Sequence, residues 1–143
     1  MIPDRLAFID LETTGANPLR DRITEIGIVE VDGDQVTTWS TLVNPQRPIP
    51  AFIQQLTGID NAMVADAPTF AQVAEELADR LHGRLFIAHN ARFDYGFIKN
   101  EYLRLGQRFR ADVLCTVRLS RKLFPEYPKH NLDSLIARHS LET

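Results

Sequence analysis

The run Leu6-Ala7-Phe8-Ile9-Asp10-Leu11-Glu12-Thr13-Thr14-Gly15 decides how the chain is read. Leu6 to Leu11 is short and apolar, and a buried strand fits it. Side chains two apart on a strand point the same way, so Asp10 and Glu12 share a face. A strand that buries Phe8 and Ile9 and then ends in two acids is costly unless something positive compensates. Two readings stay open for a motif this short. One acid caps the Thr13-Thr14-Gly15 turn while the other faces solvent, or the pair belongs to a chemical site.

Outward from that strand, Ile23 to Asp32 is β-rich, Asp32-Gly33-Asp34 signals a tight turn, and Gln35 to Val43 returns as a second arm in which Trp39 packs. From Asn44 to Pro68 the prolines 45, 48, 50 and 68 punctuate a long connection. It has room for helical turns around Ala51–Leu56 and Asn61–Ala65, and Phe52, Ile53, Leu56, Ile59 and Met63 are expected to bury there. Thr69 and Gln72 fit a capping box for a helix with Phe70, Val73, Ala74, Leu77 and Leu81 on one face, stopped by Gly83. Leu85-Phe86-Ile87-Ala88 reads as a strand. Asn90 is placed to cap the next helix, where Ile98, Tyr102 and Leu105 share a face until Gly106. Asp112 to Leu114 reads as a third core strand. Helices follow over Thr116–Phe124 and from Asn131 through Leu135, Ile136 and His139. A meander followed by βαβαβ crossovers predicts an α/β fold, a mixed sheet flanked by helices.

The chain has 143 residues, 16 Lys+Arg and 19 Asp+Glu, for a formal net charge of −3. That length suits one domain over 1–143, and the composition excludes a disordered chain. No apolar run approaches the ~18–20 residues of a membrane span, so no membrane partner is expected. Met1-Ile2-Pro3-Asp4-Arg5 lacks the features of a signal peptide. The single cysteine, Cys115, cannot form an internal disulfide and is expected to pack as a small hydrophobe, which makes a reducing, cytoplasmic setting the expectation. Charge is uneven: residues 1–66 carry a balance of −6 and residues 67–143 one of +3. An acidic half and a basic half suit carboxylate-bound cations with a polyanion steered in, and they suit solvated helix faces equally. Arg118, Arg121 and Lys122 carry the same ambiguity.

A second acidic site follows the strand at 85–88, in Ala88-His89-Asn90-Ala91-Arg92-Phe93-Asp94. Sites in open α/β sheets collect beyond the carboxyl ends of strands. Asp94 alone could simply stabilise the first turn of its helix. Together, two strand-end sites could present three carboxylates at one edge. Convergent acids repel and ask for divalent metal, with oxygen ligands pointing to magnesium or manganese. Two metals about 3.5–4 Å apart can activate a water and steady a leaving oxygen in phosphodiester hydrolysis.

These residues carry a resemblance. Phe8-Ile9-Asp10-Leu11-Glu12-Thr13-Thr14-Gly15 closely resembles the first motif of the DnaQ-like, or DEDD, 3′–5′ exonucleases, which include the proofreading epsilon subunit of bacterial DNA polymerase III. Ala88 to Asp94 resembles the second motif, Leu56-Thr57-Gly58-Ile59 the segment bordering the terminal nucleotide, and Ile23-Thr24-Glu25-Ile26-Gly27 the second strand. The resemblance covers nearly the whole chain. It implies a ribonuclease-H-like fold with a five-stranded mixed sheet. It implies that Asp10, Glu12 and Asp94 are catalytic and hold two divalent cations, Mg2+ or Mn2+. It places Thr13, Thr14, Thr57, His89, Asn90 and Phe93 near a 3′-terminal nucleotide, where Phe93 or Phe52 can stack on a base.

The expected activity is 3′–5′ hydrolysis of single-stranded nucleic acid, DNA first, releasing nucleoside 5′-monophosphates. The alternatives are an RNA-trimming enzyme of the same family and a module that binds nucleic-acid ends without cutting. One departure stands out. The family's third motif, a histidine and then a fourth aspartate on a final helix, should follow His130-Asn131-Leu132-Asp133, yet the sequence stops at Thr143. The reading therefore expects a chain that lacks the family's last helix, cleaves weakly or not at all by itself, and joins a DNA polymerase or further domains beyond Thr143. His130 and His139 are read as helix-end residues. The alternative, that His130 and Asp133 replace the missing pair, has a spacing too short for the motif.

Overall fold

The computed structural model describes residues 4–116. The expected helices beyond Thr116, with Arg118, Arg121, Lys122, His130, Asp133 and His139, lie outside the described residues. Five strands form one sheet: β1 (Arg5–Thr13), β2 (Ile23–Asp32), β3 (Gln35–Leu42), β4 (Leu85–Ala88) and β5 (Val113–Cys115), in the order β3-β2-β1-β4-β5. The first three pair antiparallel, while β4 lies parallel to both β1 and β5. This is the mixed sheet that a meander followed by crossovers requires. The β2–β3 turn needs a positive φ at Gly33, which stands at 59°.

The helices are α1 (Ala51–Thr57), α2 (Asn61–Ala65), α3 (Phe70–Leu81) and α4 (Ala91–Arg104). The Gln72 side chain accepts from the Thr69 N–H at 2.9 Å and holds the start of α3. Phe70, Val73, Ala74, Leu77 and Leu81 of α3 join Phe97, Ile98 and Tyr102 of α4 in the main core. Strands contribute Ala7, Ile9 and Leu11 from β1 and Ile23, Ile26 and Ile28 from β2. Burying each of the larger side chains is worth about 1.5–3 kcal/mol. Phe70 meets Tyr102 edge-on at 5.1 Å, and the buried Tyr102 hydroxyl donates to the Ala74 carbonyl at 2.6 Å. Trp39 is half-buried beneath the Arg80 guanidinium, 4.9 Å from its ring centre.

Several expectations are corrected. Phe8 is 42% exposed, because strand alternation sends Ala7, Ile9, Leu11 and Thr13 to the core and Phe8 to the face of Asp10 and Glu12. Of the five side chains expected to bury in the Asn44–Pro68 connection, Ile53 and Ile59 do so, joining Ile49 and Val64 of the same connection in a second small core, while Phe52, Leu56 and Met63 face outward. Two short helices have too little inward surface for all five side chains. Leu105 is partly exposed at the end of α4 instead of sharing the face of Ile98 and Tyr102. Asn90 stands at the N-cap of α4 in the left-handed conformation, φ 69°, and its side chain makes no capping bond. The sulfur of Cys115 instead accepts from the Ala91 N–H at 3.3 Å, so this cysteine does more than fill space.

Candidate active site

β1 pairs with β4 only over Leu6–Phe8 and then runs on past it. Asp10 and Glu12 therefore stand on a strand end whose β4-side edge is open. β4 finishes at Ala88, the chain turns through His89 and Asn90, and α4 begins with Asp94 in its first turn. Parallel β1 and β4 thus deliver all three acids to the carboxyl ends of neighbouring strands, the usual place for a site in an open sheet. Gly27 lies opposite Asp10 on β2. A groove runs from there along Phe8, Val29, Ile87 and His89.

Asp94 is 5% exposed, whereas Asp10 is exposed and Glu12 half-buried. Burial pushes the Asp94 carboxyl up to about 7, and the nearby Asp10 and, more weakly, Glu12 push the same way. The N–H groups of Asp94 itself and of Leu11 pull it back only in part. Glu12 is also raised, first by burial, then by Asp10, then by Glu25. Glu25 is its direct partner across the β1–β2 ladder. The three acids therefore feel one another, and a buried acid opposed by like charge asks for a cation.

All three donors are carboxylates, hard oxygen ligands that suit a cation of the magnesium or manganese class. Among the described residues no group of three or more His, Cys, Asp or Glu side chains stands in an arrangement that could hold a metal ion. The donor chemistry and mutual repulsion fit a divalent cation.

The remaining candidates divide. Thr13 is buried and donates to the Gly15 carbonyl at 2.6 Å. Thr14 is 1% exposed; its hydroxyl donates to Asp21 Oδ1 and accepts the Arg22 N–H, both at 3.0 Å. Both hydroxyls are thus engaged inside the fold. His89 Nδ1 lies 2.7 Å from the Thr116 hydroxyl, joining the ends of β4 and β5. Asn90 is exposed, and Phe93 is half-buried on Phe97, 4.8 Å between ring centres. These three precede Asp94 in the turn and first helical turn after β4. Thr57 stands apart on α1, its hydroxyl donating to the Ile53 carbonyl at 2.9 Å and accepting the Ile59 N–H at 3.2 Å. Phe52 is 69% exposed on the same helix.

One network escaped the sequence reading. Glu101 is buried on α4 and takes Arg22 in a bidentate grip. An acid among Phe97, Ile98 and Tyr102 on an apolar helix face was the signal for it.

A family model described as exonuclease, RNase_T, matches residues 7–143. The chain belongs to this exonuclease family. Membership bears out the resemblance to DnaQ-like exonucleases. The 3′-5′ exonuclease DinG of Bacillus subtilis is 44% identical over 138 residues, covering 94% of this chain and 15% of that protein. A PolC-type DNA polymerase III of Caldanaerobacter subterraneus subsp. tengcongensis is 42% identical over 127 residues, covering 88% of this chain and 9% of that protein. The chain thus spans a small part of the length of these relatives. A structure of exonuclease X in complex with 5′ overhanging duplex DNA superposes with a TM-score of 0.78 at 30% identity, covering 96% of this chain and 75% of that one. The ribonuclease-H-like fold expected from the motifs is therefore the fold observed. Among the described residues no helix is long and apolar enough to cross a membrane.

Proposed function

We propose that this domain hydrolyses the terminal phosphodiesters of single-stranded DNA from the 3′ end and releases nucleoside 5′-monophosphates. The observation that carries the reading is the mutual repulsion of Asp10, Glu12 and Asp94 at adjoining strand ends, in a chain of the exonuclease family. In this reading the three acids are the catalytic set and hold two divalent cations, Mg2+ or Mn2+. Bound there, the cations would make a water more acidic and offset charge on the leaving oxygen.

The chain's own residues supply the rest. Asp94, fixed on a helix start and desolvated, gains most from a positive partner. Asp10, exposed at the rim, is free to turn toward a ligand. In this reading His89, Asn90 and Phe93 flank the terminal nucleotide, and Thr57 and the exposed ring of Phe52 on α1 approach it as well. Thr13 and Thr14 act through the backbone they hold, since their hydroxyls are already engaged. The partners that follow are a single-stranded 3′ end and a DNA polymerase, in the cytoplasm.

The test compares linear, circular and 3′-blocked single strands under magnesium. Linear strands should shorten from the labelled 3′ end while the other two persist. Efficient cutting of closed circles would make the protein an endonuclease. Faster turnover of a matched RNA than of DNA would move the substrate to RNA.

A further inference from the structure

Glu101 lies seven residues beyond Asp94 on α4, two turns along the same face. It is 1% exposed. Arg22 Nε donates to Oε2 at 2.8 Å and to Oε1 at 3.0 Å, and Arg22 Nη2 donates to Oε1 at 2.8 Å. Arg104 Nη1 stands 3.3 Å from Oε1, and the Ile23 N–H reaches Oε2 at 3.4 Å. Arg104 also donates through Nη2 to the carbonyls of Pro18 at 3.1 Å and Leu19 at 3.2 Å. On its other side Arg22 is tied to the end of β1. Its N–H donates to the Thr14 hydroxyl at 3.0 Å, and its carbonyl accepts the Thr14 N–H at 2.9 Å. Thr14 follows the last residue of β1 and is two beyond Glu12.

Helix α4 therefore grips the β1–β2 unit at two places. One is Asp94, which is buried and close enough to β1 for Asp10 and the Leu11 N–H to act on its carboxyl. The other is Glu101, about 10 Å along the helix axis. The bonded contacts at Glu101 resist sliding and pivoting of the helix that carries Asp94. Stability alone gives no reason for an ion pair here, because apolar residues of like volume in place of a buried pair are often neutral or better. A bidentate pair does fix direction and register, which apolar packing fixes less sharply.

We propose that Glu101 is a positioning residue: by holding Arg22 it sets the separation of Asp94 from Asp10 and Glu12, and with it the affinity of the acid cluster for divalent metal. The proposal rests on the reading that these acids hold the cations. Supporting groups behind metal ligands typically affect affinity or activity by about 10–100-fold.

The experiment uses the full-length protein, with Mn2+ as the probe in calorimetric titration without nucleic acid. Rates are taken on a 3′-labelled single strand, at a temperature where circular dichroism shows every variant folded. The double variant Arg22→Leu with Glu101→Leu should fold. It should bind Mn2+ about 10-fold more weakly and lose about 10–100-fold in kcat, with KM for the oligonucleotide unchanged. Wild-type Mn2+ affinity and kcat in the folded double variant would overturn the proposal. Glu101→Gln, which keeps the volume and one acceptor, gives the same decision if the double variant does not fold. Asp10→Ala runs alongside. If it keeps wild-type Mn2+ affinity, the metal reading itself fails. If it loses Mn2+ while both Glu101 variants keep it, only the positioning role fails.

Discussion

Asp94 and Glu101 sit on one face of the same helix and are almost equally buried, at 5% and 1% exposure. Their surroundings are opposite. Glu101 meets the Arg22 guanidinium in a two-pronged bond and has Arg104 in reach. Asp94 meets Asp10 and Glu12, and among the described residues no basic side chain forms an ion pair with it. One burial is compensated within the fold. The other is left with a carboxyl raised to about 7. A buried acid that the fold does not compensate is stabilised from outside, by a proton or a metal, and that difference separates scaffold from site. Glu30 makes the same point, since its buried carboxylate receives Arg80 at 3.0 Å.

The comparison can be broken by substitution. The largest effect is expected at the site. Asp10→Ala or Asp94→Asn in the full-length protein should lower cleavage of a 3′-labelled strand by about 10²–10⁴-fold or more, the scale of losing one essential group. Metal-free stability should hold level or rise, because a member of a repelling set is removed. Unfolding on Asp10→Ala would make that acid structural.

At the compensated acid the order reverses. Glu101→Ala leaves Arg22 without its partner and should cost about 3–5 kcal/mol of stability in urea titration. A loss well below 1 kcal/mol would mean that solvent already supports Arg22.

The pH response sharpens the contrast further. Asp94 in the folded protein holds its proton up to about pH 7, whereas an ordinary aspartate gives it up near 3.8. The folded state therefore binds the extra proton between these values, and stability falls as pH rises through them. The size is up to about 4 kcal/mol, at about 1.4 kcal/mol per unit. Urea midpoints in chelator at pH 4.5, 6 and 7.5 should decline, and Asp94→Asn should flatten the decline. An unchanged slope in the variant would place the titration elsewhere.

The smallest effect is at Thr14. Thr14→Val removes bonds to Asp21 and Arg22 and should cost about 1–2 kcal/mol with KM for the oligonucleotide unchanged. A raised KM at unchanged stability would return the hydroxyl to the nucleotide.

Much of this was legible along the chain. The alternation in β1, the turn at Gly33 and the helical spacing of α3 are local signals, and their elements formed where the residues call for them. The pairing of Asp10 with Glu12 follows from strand periodicity alone. What was not legible needed distance in three dimensions. Arg22 and Glu101 are 79 positions apart, and only the charge on an apolar helix face hinted that Glu101 had a buried partner. The turn into α4 puts Asn90 at φ 69° with its side chain clear of the helix end, and Cys115 from β5 takes the place of a cap. Phe8 lies outside the core because alternation commits its neighbours inward, a consequence that hydrophobicity alone conceals.

The central claim is that Asp10, Glu12 and Asp94 form one cation site. Calorimetric titration of the full-length wild type, Asp10→Ala and Asp94→Asn with Mn2+ tests it most directly. The account predicts saturable binding in the wild type, with a matching rise in melting temperature, and loss of both in each variant. Equal binding in all three proteins, or none in the wild type, would contradict it.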